Sequence, residues 1–374
     1  MPFSTILQPT LMLDPQRCQN NIRKITEKSK DQGFELRPHF KTHQSHKIGD
    51  WFRDEGVSKI TVSSLGMATY FAMNNWDDIT VAFPVNIRQI GTINDLSETV
   101  KLGLVVEDAD TIDFLGKNLT SDAFIWIKID VGTHRTGLAP DDHPVVEHIL
   151  DRLNQFPRLS FAGFLGHAGH TYQSHSQQEV YRIHENSLAS LNRLKTKYAS
   201  SFPDIKISLG DTPGISMLND MGNVDELRPG NFVFYDLQQV EIGSCNIDEI
   251  AVAMACPVVA VHPERNQWII YGGGIHFAKD FQTFKDGNRC FGRYVKQDHE
   301  TWTTSDATSN PYLISISQEH GVVQCDNHNF HFCKPGDIAL FLPVHSCMTA
   351  DCMGSYLTTQ GEKLDHYREH LWPL

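Results

Sequence analysis

Between residues 18 and 240 the sequence alternates eight short β-branched or aromatic runs with segments of helical spacing, and this alternation restricts the fold more than any other feature. A strand that feeds a helix before the next strand returns parallel to it, whereas an antiparallel return needs only a tight turn. The runs lie near 35–41 (ELRPHFK), 58–63 (SKITVS), 79–84 (ITVAFP), 101–106 (KLGLVV), 123–131 (AFIWIKIDV), 160–167 (SFAGFLGH), 204–210 (DIKISLG) and 226–235 (ELRPGNFVFY). Between them, segments such as 176–199 place apolar residues at three- and four-residue steps, as an amphipathic helix requires. Eight such units predict an α/β fold, a (β/α)8 TIM barrel, with an open doubly wound sheet as the alternative.

After residue 241 the pattern changes to closely spaced strands with turn signals, among them AVAMACPVVAVHPE, QWIIYGGG and FHFCKPGDIALFLPVHSC. This predicts an all-β region. The expected organisation is a barrel over 18–240 and a C-terminal β domain formed by 241–374 with 1–17, whose TLMLD stretch would add a strand.

Composition narrows the function classes. The hydrophobic fraction is 40% and no apolar run approaches the ~20 residues that span a bilayer. Residues 1–16 lack the basic start and apolar stretch of a secretory signal, so a cytoplasmic location is expected. A net charge of −13 without clustered Lys and Arg argues against an extended nucleic-acid surface, while leaving room for a local anion site. The eight cysteines include no CxxC pair and seven follow residue 240, which reads as reduced thiols rather than a disulfide scaffold.

In a barrel, catalytic groups stand at the C-terminal strand ends, where the βα loops build the mouth. The first run ends in Pro38-His39-Phe40-Lys41-Thr42-His43, so Lys41 can reach the mouth. Desolvation there would lower its pKa and free an amine for imine formation. The fifth run opens into Asp130-Val131-Gly132-Thr133-His134-Arg135, where Arg135 could pair with a phenolate or carboxylate. The sixth leads to His167, His170 and Tyr172, a segment suited to ligand contact or acid/base work. After the seventh, Gly210-Asp211-Thr212-Pro213-Gly214 offers small residues and a helix start, a candidate phosphate cradle.

Near the C-terminus, Pro343-Val344-His345-Ser346-Cys347 lies on or just past a predicted strand, where residues two apart share a face. His345 and Cys347 could then grip one ion, and imidazole with thiolate favours zinc, leaving positions open for water and substrate. A rival set, His328, His331 and Cys333, precedes a turn at Lys334-Pro335-Gly336-Asp337 and reads as structural.

In their order and placement, these segments resemble the fold-type III pyridoxal-phosphate enzymes, and within them the D-serine dehydratase and D-threonine aldolase family. The resemblance rests on PHFKTH, IDVGTHRTG, GHAGHTY, GDTPG, LRPGNFVFYD, SQEHG at 317–321, and KPGD followed by PVHSC. It implies an alanine racemase-like barrel with a C-terminal β domain, usually a homodimer. It implies Lys41 as the Schiff-base lysine, Arg135 at the cofactor's phenolic oxygen, and Tyr172 with His167 beside the cofactor. Gly210, Thr212 and Tyr235 would lie near its phosphate, and His345 with Cys347 would be the metal pair.

The second member of that pair sorts the family: the zinc-dependent dehydratases carry cysteine there and the aldolases tend to carry aspartate. Cys347 therefore predicts a lyase that removes water from a D-3-hydroxy amino acid such as D-serine. D-Threonine aldolase, amino-acid racemase and a non-catalytic cofactor carrier are the alternatives. Where many members have Asp-Ala-Gly-Ser, this chain has Tyr271-Gly272-Gly273-Gly274-Ile275-His276, a departure in the region of substrate contacts.

Overall fold

The eight alternating runs become a ring of parallel strands. The computed structural model describes residues 2–284, 286–299, 301–303, 311–325 and 333–368. These fall into two units, one with the described residues of Met1–Arg23, Thr42–Ile48 and Asn231–His366, the other with Lys24–Lys41, Gly49–Gly230 and the stretch from Tyr367.

In the second unit the barrel strands are β1 (Glu35–Leu36), β2 (Ile60–Val62), β3 (Asp78–Pro84), β4 (Lys101–Val106), β5 (Ala123–Lys128), β6 (Leu159–Leu165), β7 (Lys206–Leu209) and β8 (Glu226–Leu227). They pair in the order β1-β8-β7-β6-β5-β4-β3-β2, all parallel. The ring closes just past β1, where Thr61 N donates to Pro38 O and Phe40 N donates to Thr61 O, both at 2.9 Å. Strands inside such a ring are covered on both faces, which is why β4 is exposed only at Lys101 and buried over its other five residues.

Two runs are shorter as strands than the sequence predicts. The 35–41 run is continuous strand only over Glu35–Leu36, and 226–235 only over Glu226–Leu227 before a 3₁₀ turn at Asn231–Val233. Pro38 and Pro229 lack the N–H a ladder needs, so each strand ends ahead of its proline and the following residues form the mouth. Between β5 and β6 the register shifts, Ile125 facing Phe161 and Trp126 facing Gly163. Gly163 has φ +145° and a Cβ there would collide with the Lys206 carbonyl, so the bulge requires glycine.

Polar caps turn strand ends into helix starts. Ser64, Asp108, Asp142, Ser176 and Asp211 each accept a backbone N–H from the first turn of the helix that follows. The helix Gln177–Tyr198 buries Val180, His184, Ser187, Leu188, Leu191, Leu194 and Tyr198, the stripe its spacing predicts.

In the first unit, Thr10–Leu13 pairs antiparallel with Val252–His262 and parallel with Tyr356–Thr358. Val252–His262 continues to Gln267–Tyr271 and to Ile338–Pro343, all antiparallel. The region after 241 is not strand alone: Ser346–Met353 is a helix. Its buried positions are Ser346, Thr349 and Ala350, small residues at helical spacing, so no large apolar stripe announced it. Among the described residues no helix is long and apolar enough to cross a membrane.

Candidate functional site

The mouth of the barrel collects cations around two neutral imidazoles. Past β1, Phe40 is fully buried and its ring lies about 5 Å from Phe52, Phe71 and Trp76, which fixes the backbone leading to Lys41. Lys41 itself is exposed, so the desolvated lysine expected at this strand end is not found there; it stands beyond the strand, on the rim. His39 beside it is held well below the usual histidine range, first by burial and then by the charges of Lys41, Arg228, His167 and Arg135. Its Nδ1 receives the Lys41 N–H at 3.4 Å.

The buried lysine is Lys128, the last residue of β5. Burial pushes its ammonium down to about 7, and the charges of Arg228 and Arg135 act in the same direction. Beyond it, Asp130 accepts the N–H groups of Gly132 and His134 at 3.0 Å and pairs with His134 Nδ1 at 2.9 Å. This folds the loop so that Arg135 stands exposed, with no hydrogen-bond partner for its guanidinium among the described residues.

At the end of β6, His167 Nδ1 donates to Gly210 O at 2.6 Å. Burial holds this imidazole down to about 3, so it remains a neutral donor. His170 Nδ1 lies 3.3 Å from Thr133 Oγ1. Tyr172 Oη accepts the Thr212 N–H at 3.2 Å, which ties the sixth and seventh mouth loops together. Asp211 caps the short helix Thr212–Met217 through Gly214 N at 2.6 Å and also accepts from Thr171 Oγ1 at 3.0 Å. Thr212 Oγ1 is buried without a hydrogen-bond partner among the described residues. Gly210 has no room for a side chain, since a Cβ would stand 2.9 Å from Arg228 O.

Sequence reasoning gave no role to Arg228, at the end of β8. Its Nε donates to Ser208 Oγ at 2.6 Å and its Nη2 to Gly166 O, and burial lowers its pKa to about 10. The strand-end rule would have found it, as it would Lys128 and His39. Together these strand ends suit an anionic ligand that needs an amine, several fixed cations and neutral donors.

In the first unit, the His345 and Cys347 side chains are electrostatically coupled to each other, for a different reason from the one their spacing suggested. The strand stops at Pro343; His345 is the N-cap of the helix Ser346–Met353 and Cys347 lies in its first turn. Burial opposes charge on both groups, yet Asp280, 3.5 Å from His345 Nδ1, and Cys347 push the imidazole up to about 11. His345 in turn holds the Cys347 thiol below its ordinary value. Each group thus moves the other, the imidazole toward its charged form and the thiol toward ionisation, and both residue types are ones a divalent ion could use.

Cys347 Sγ is 3.3 Å from Thr42 Oγ1 and 3.4 Å from Asn231 Nδ2. Asp236 fixes this side: it accepts Ser346 N at 2.9 Å, Asn231 Nδ2 at 2.7 Å and Gln239 N at 3.0 Å. Among the described residues no group of three or more His, Cys, Asp or Glu is placed to hold a metal. His328 and His331 lie outside the described residues, and Cys333 is buried, which pushes its thiol up to about 12. Tyr235 is fully buried with φ 48°. Asn231 and Asp236 sit within the LRPGNFVFYD segment, but nothing in the sequence singled out Asp280.

Residues 13–238 match the family model of the alanine racemase N-terminal domain, and residues 251–359 match a serine dehydratase domain model. A D-serine dehydratase of Dictyostelium discoideum is 27% identical over 383 residues, covering 93% of this chain and 92% of that protein. A D-threo-3-hydroxyaspartate dehydratase of Delftia sp. strain HT23 is 26% identical, covering 98% of each. Among solved structures, a cysteine-to-alanine mutant of D-threo-3-hydroxyaspartate dehydratase, in its metal-free form, superposes with a TM-score of 0.89. It is 23% identical and covers 98% of this chain and 99% of that one, a likeness of fold.

Proposed function

The chain belongs to the alanine racemase N-terminal domain family, and from that premise we propose that it is a pyridoxal-phosphate-dependent lyase that dehydrates a D-3-hydroxy amino acid such as D-serine. The observation that carries this reading is the electrostatically coupled pair His345 and Cys347 in the region that matches the serine dehydratase model. An ion held there would give a poor leaving group, hydroxide, something to leave onto; racemisation at Cα needs no such ion.

The residues fit both groups. Lys41 supplies an amine, Arg135 an unpartnered guanidinium, and Arg228 a buried cation, all suited to an anionic pyridine derivative. The buried Thr212 hydroxyl without a partner, the tight approach at Gly210 and the start of the following helix suit a phosphate. His167, Tyr172 and Tyr235 complete the cofactor contacts in this reading. His345 and Cys347 would hold a divalent ion, and their donor set favours zinc.

Bound pyridoxal phosphate supplies an electron sink at Cα, and the metal a Lewis acid at the β-oxygen. Lys41 would hold the cofactor through its amine and, with that amine free, would take the α-proton on Nζ. His167, neutral and anchored on Gly210 O, holds the mouth loops without drawing that proton. Loss of the α-proton and the β-hydroxyl as water, followed by hydrolysis, leaves a 2-oxo acid and ammonia. A cytoplasmic homodimer is part of the same reading.

Protein reconstituted with pyridoxal phosphate and zinc is expected to release a 2-oxo acid and ammonia in equal amounts from D-serine. Chelator treatment or Cys347→Ala should lower turnover by about 10²-fold or more, and Lys41→Ala should remove both activity and the absorbance of lysine-bound cofactor. Unchanged turnover in chelated protein would overturn the metal assignment, and a surviving lysine-bound absorbance in the Lys41 variant would overturn that of the lysine.

A further inference from the structure

The Cys347 sulfur is approached by two side chains able to donate to it, from separate stretches of chain, Thr42 Oγ1 at 3.3 Å and Asn231 Nδ2 at 3.4 Å. Both side chains are buried, Thr42 completely and Asn231 to 5% exposure, so water does not take their place on the sulfur. We propose that Thr42 and Asn231 are positioning residues of the metal centre, whose two hydrogen bonds fix the Cys347 thiolate and weaken its donation to the ion. The inference rests on the reading of His345 and Cys347 as the metal pair.

The argument begins with the lone pairs. A thiolate that gives one to a metal keeps others, and burying them without donors costs free energy. The hydroxyl of Thr42 has Cys347 as its partner across 305 positions of sequence. The amide of Asn231 is oriented by Asp236 at 2.7 Å, and that carboxylate is itself fixed by Ser346 N and Gln239 N. The amide also keeps its N–H side on the carboxylate, Ser346 Oγ and the sulfur although this leaves its Oδ1 buried with no hydrogen-bond partner among the described residues. Its donors are what the site uses.

A hydrogen bond to a ligating thiolate draws charge from sulfur, so less reaches the metal and the ion stays more electrophilic. For a reaction in which hydroxide departs, that is the useful direction. Asp280 acts in the opposite sense on the other ligand, since a carboxylate on His345 Nδ1 raises the donor strength of its second nitrogen. The two ligands are thus supported differently, the imidazole strengthened and the thiolate restrained.

The test uses cobalt-substituted holoenzyme, with magnetic circular dichroism to resolve the sulfur-to-cobalt charge-transfer band from the cofactor's absorbance. Thr42→Val keeps the shape and removes the donor. It should move the band to lower energy and lower kcat on D-serine about 10- to 100-fold with little change in KM, while Thr42→Ser restores both. Asn231→Ser should move the band in the same direction, which keeps the test open should the valine variant fail to fold. An unmoved band in the folded variants overturns the inference alone. Absence of any cobalt–sulfur band in the unaltered protein overturns the metal pair and the inference with it.

Discussion

Two lysines stand at the barrel mouth, and burial separates their behaviour. The sequence pointed to Lys41 as the desolvated one; in the structure Lys41 is exposed and Lys128 is buried. The difference is one of position relative to the strand end. Lys128 still belongs to β5 and stays within the ring, whereas Lys41 lies past a strand cut short by Pro38. Residue type and motif order were legible; which ammonium loses its water depends on where the ladder stops, and periodicity does not resolve that. Because Lys128 is pushed down to about 7, the unfolded chain binds more protons than the folded one from there up to the ordinary lysine value. Stability of the cofactor-free protein should therefore rise with pH across that window, at up to about 1.4 kcal/mol per pH unit from this group. Lys128→Met removes the penalty. Urea unfolding at pH 6.5 should find the variant more stable by roughly 3 kcal/mol or more, with the gap closing near pH 10; a pH-independent gap would contradict the assignment.

At the scale of elements, the shortest strands are held by side chains more than by ladders. β1 and β8 pair over two residues each. Across them runs a connected set of polar groups: Arg37 Nη1 with Asp78 Oδ1 and Arg37 Nε with Glu226 Oε2, both at 2.6 Å, then Ser208 Oγ to Glu226 Oε1 and Arg228 Nε to Ser208 Oγ, again at 2.6 Å. It links β1, β3, β7 and β8 and ends on the arginine at the mouth. Glu226 is buried, so a neutral amide in its place leaves Asp78 as the carboxylate on Arg37 and can accept from only one of Arg37 Nε and Ser208 Oγ. Glu226→Gln should cost about 3 kcal/mol, read as a lower denaturant midpoint at unchanged m-value; a midpoint within error of the parent would show that the set is not structural. This brace was not legible because its members are scattered through the sequence and each reads as an ordinary strand-end charge. The strand order was legible because hydrophobic runs need only local pattern. The helix Ser346–Met353 was missed for the converse reason: its buried face is made of Ser, Thr and Ala, which no apolar periodicity reveals.

At the scale of the whole molecule, the two units carry separate chemical duties. One presents an amine and cations with neutral imidazoles, the other an imidazole and a thiol that draw each other toward their charged forms. Neither alone specifies dehydration: the mouth fits any chemistry at Cα, and the pair fits any reaction that needs charge withdrawn from an oxygen. In the proposed reading, their occurrence in one chain, with cysteine as the second metal donor, is what would select elimination of water over cleavage of the Cα–Cβ bond. D-Threonine separates these outcomes because it undergoes both reactions to different products. Incubated with the enzyme carrying pyridoxal phosphate and zinc, it should yield 2-oxobutanoate and ammonia in equal amounts, and chelator should abolish both. Glycine and acetaldehyde as the products would contradict the account.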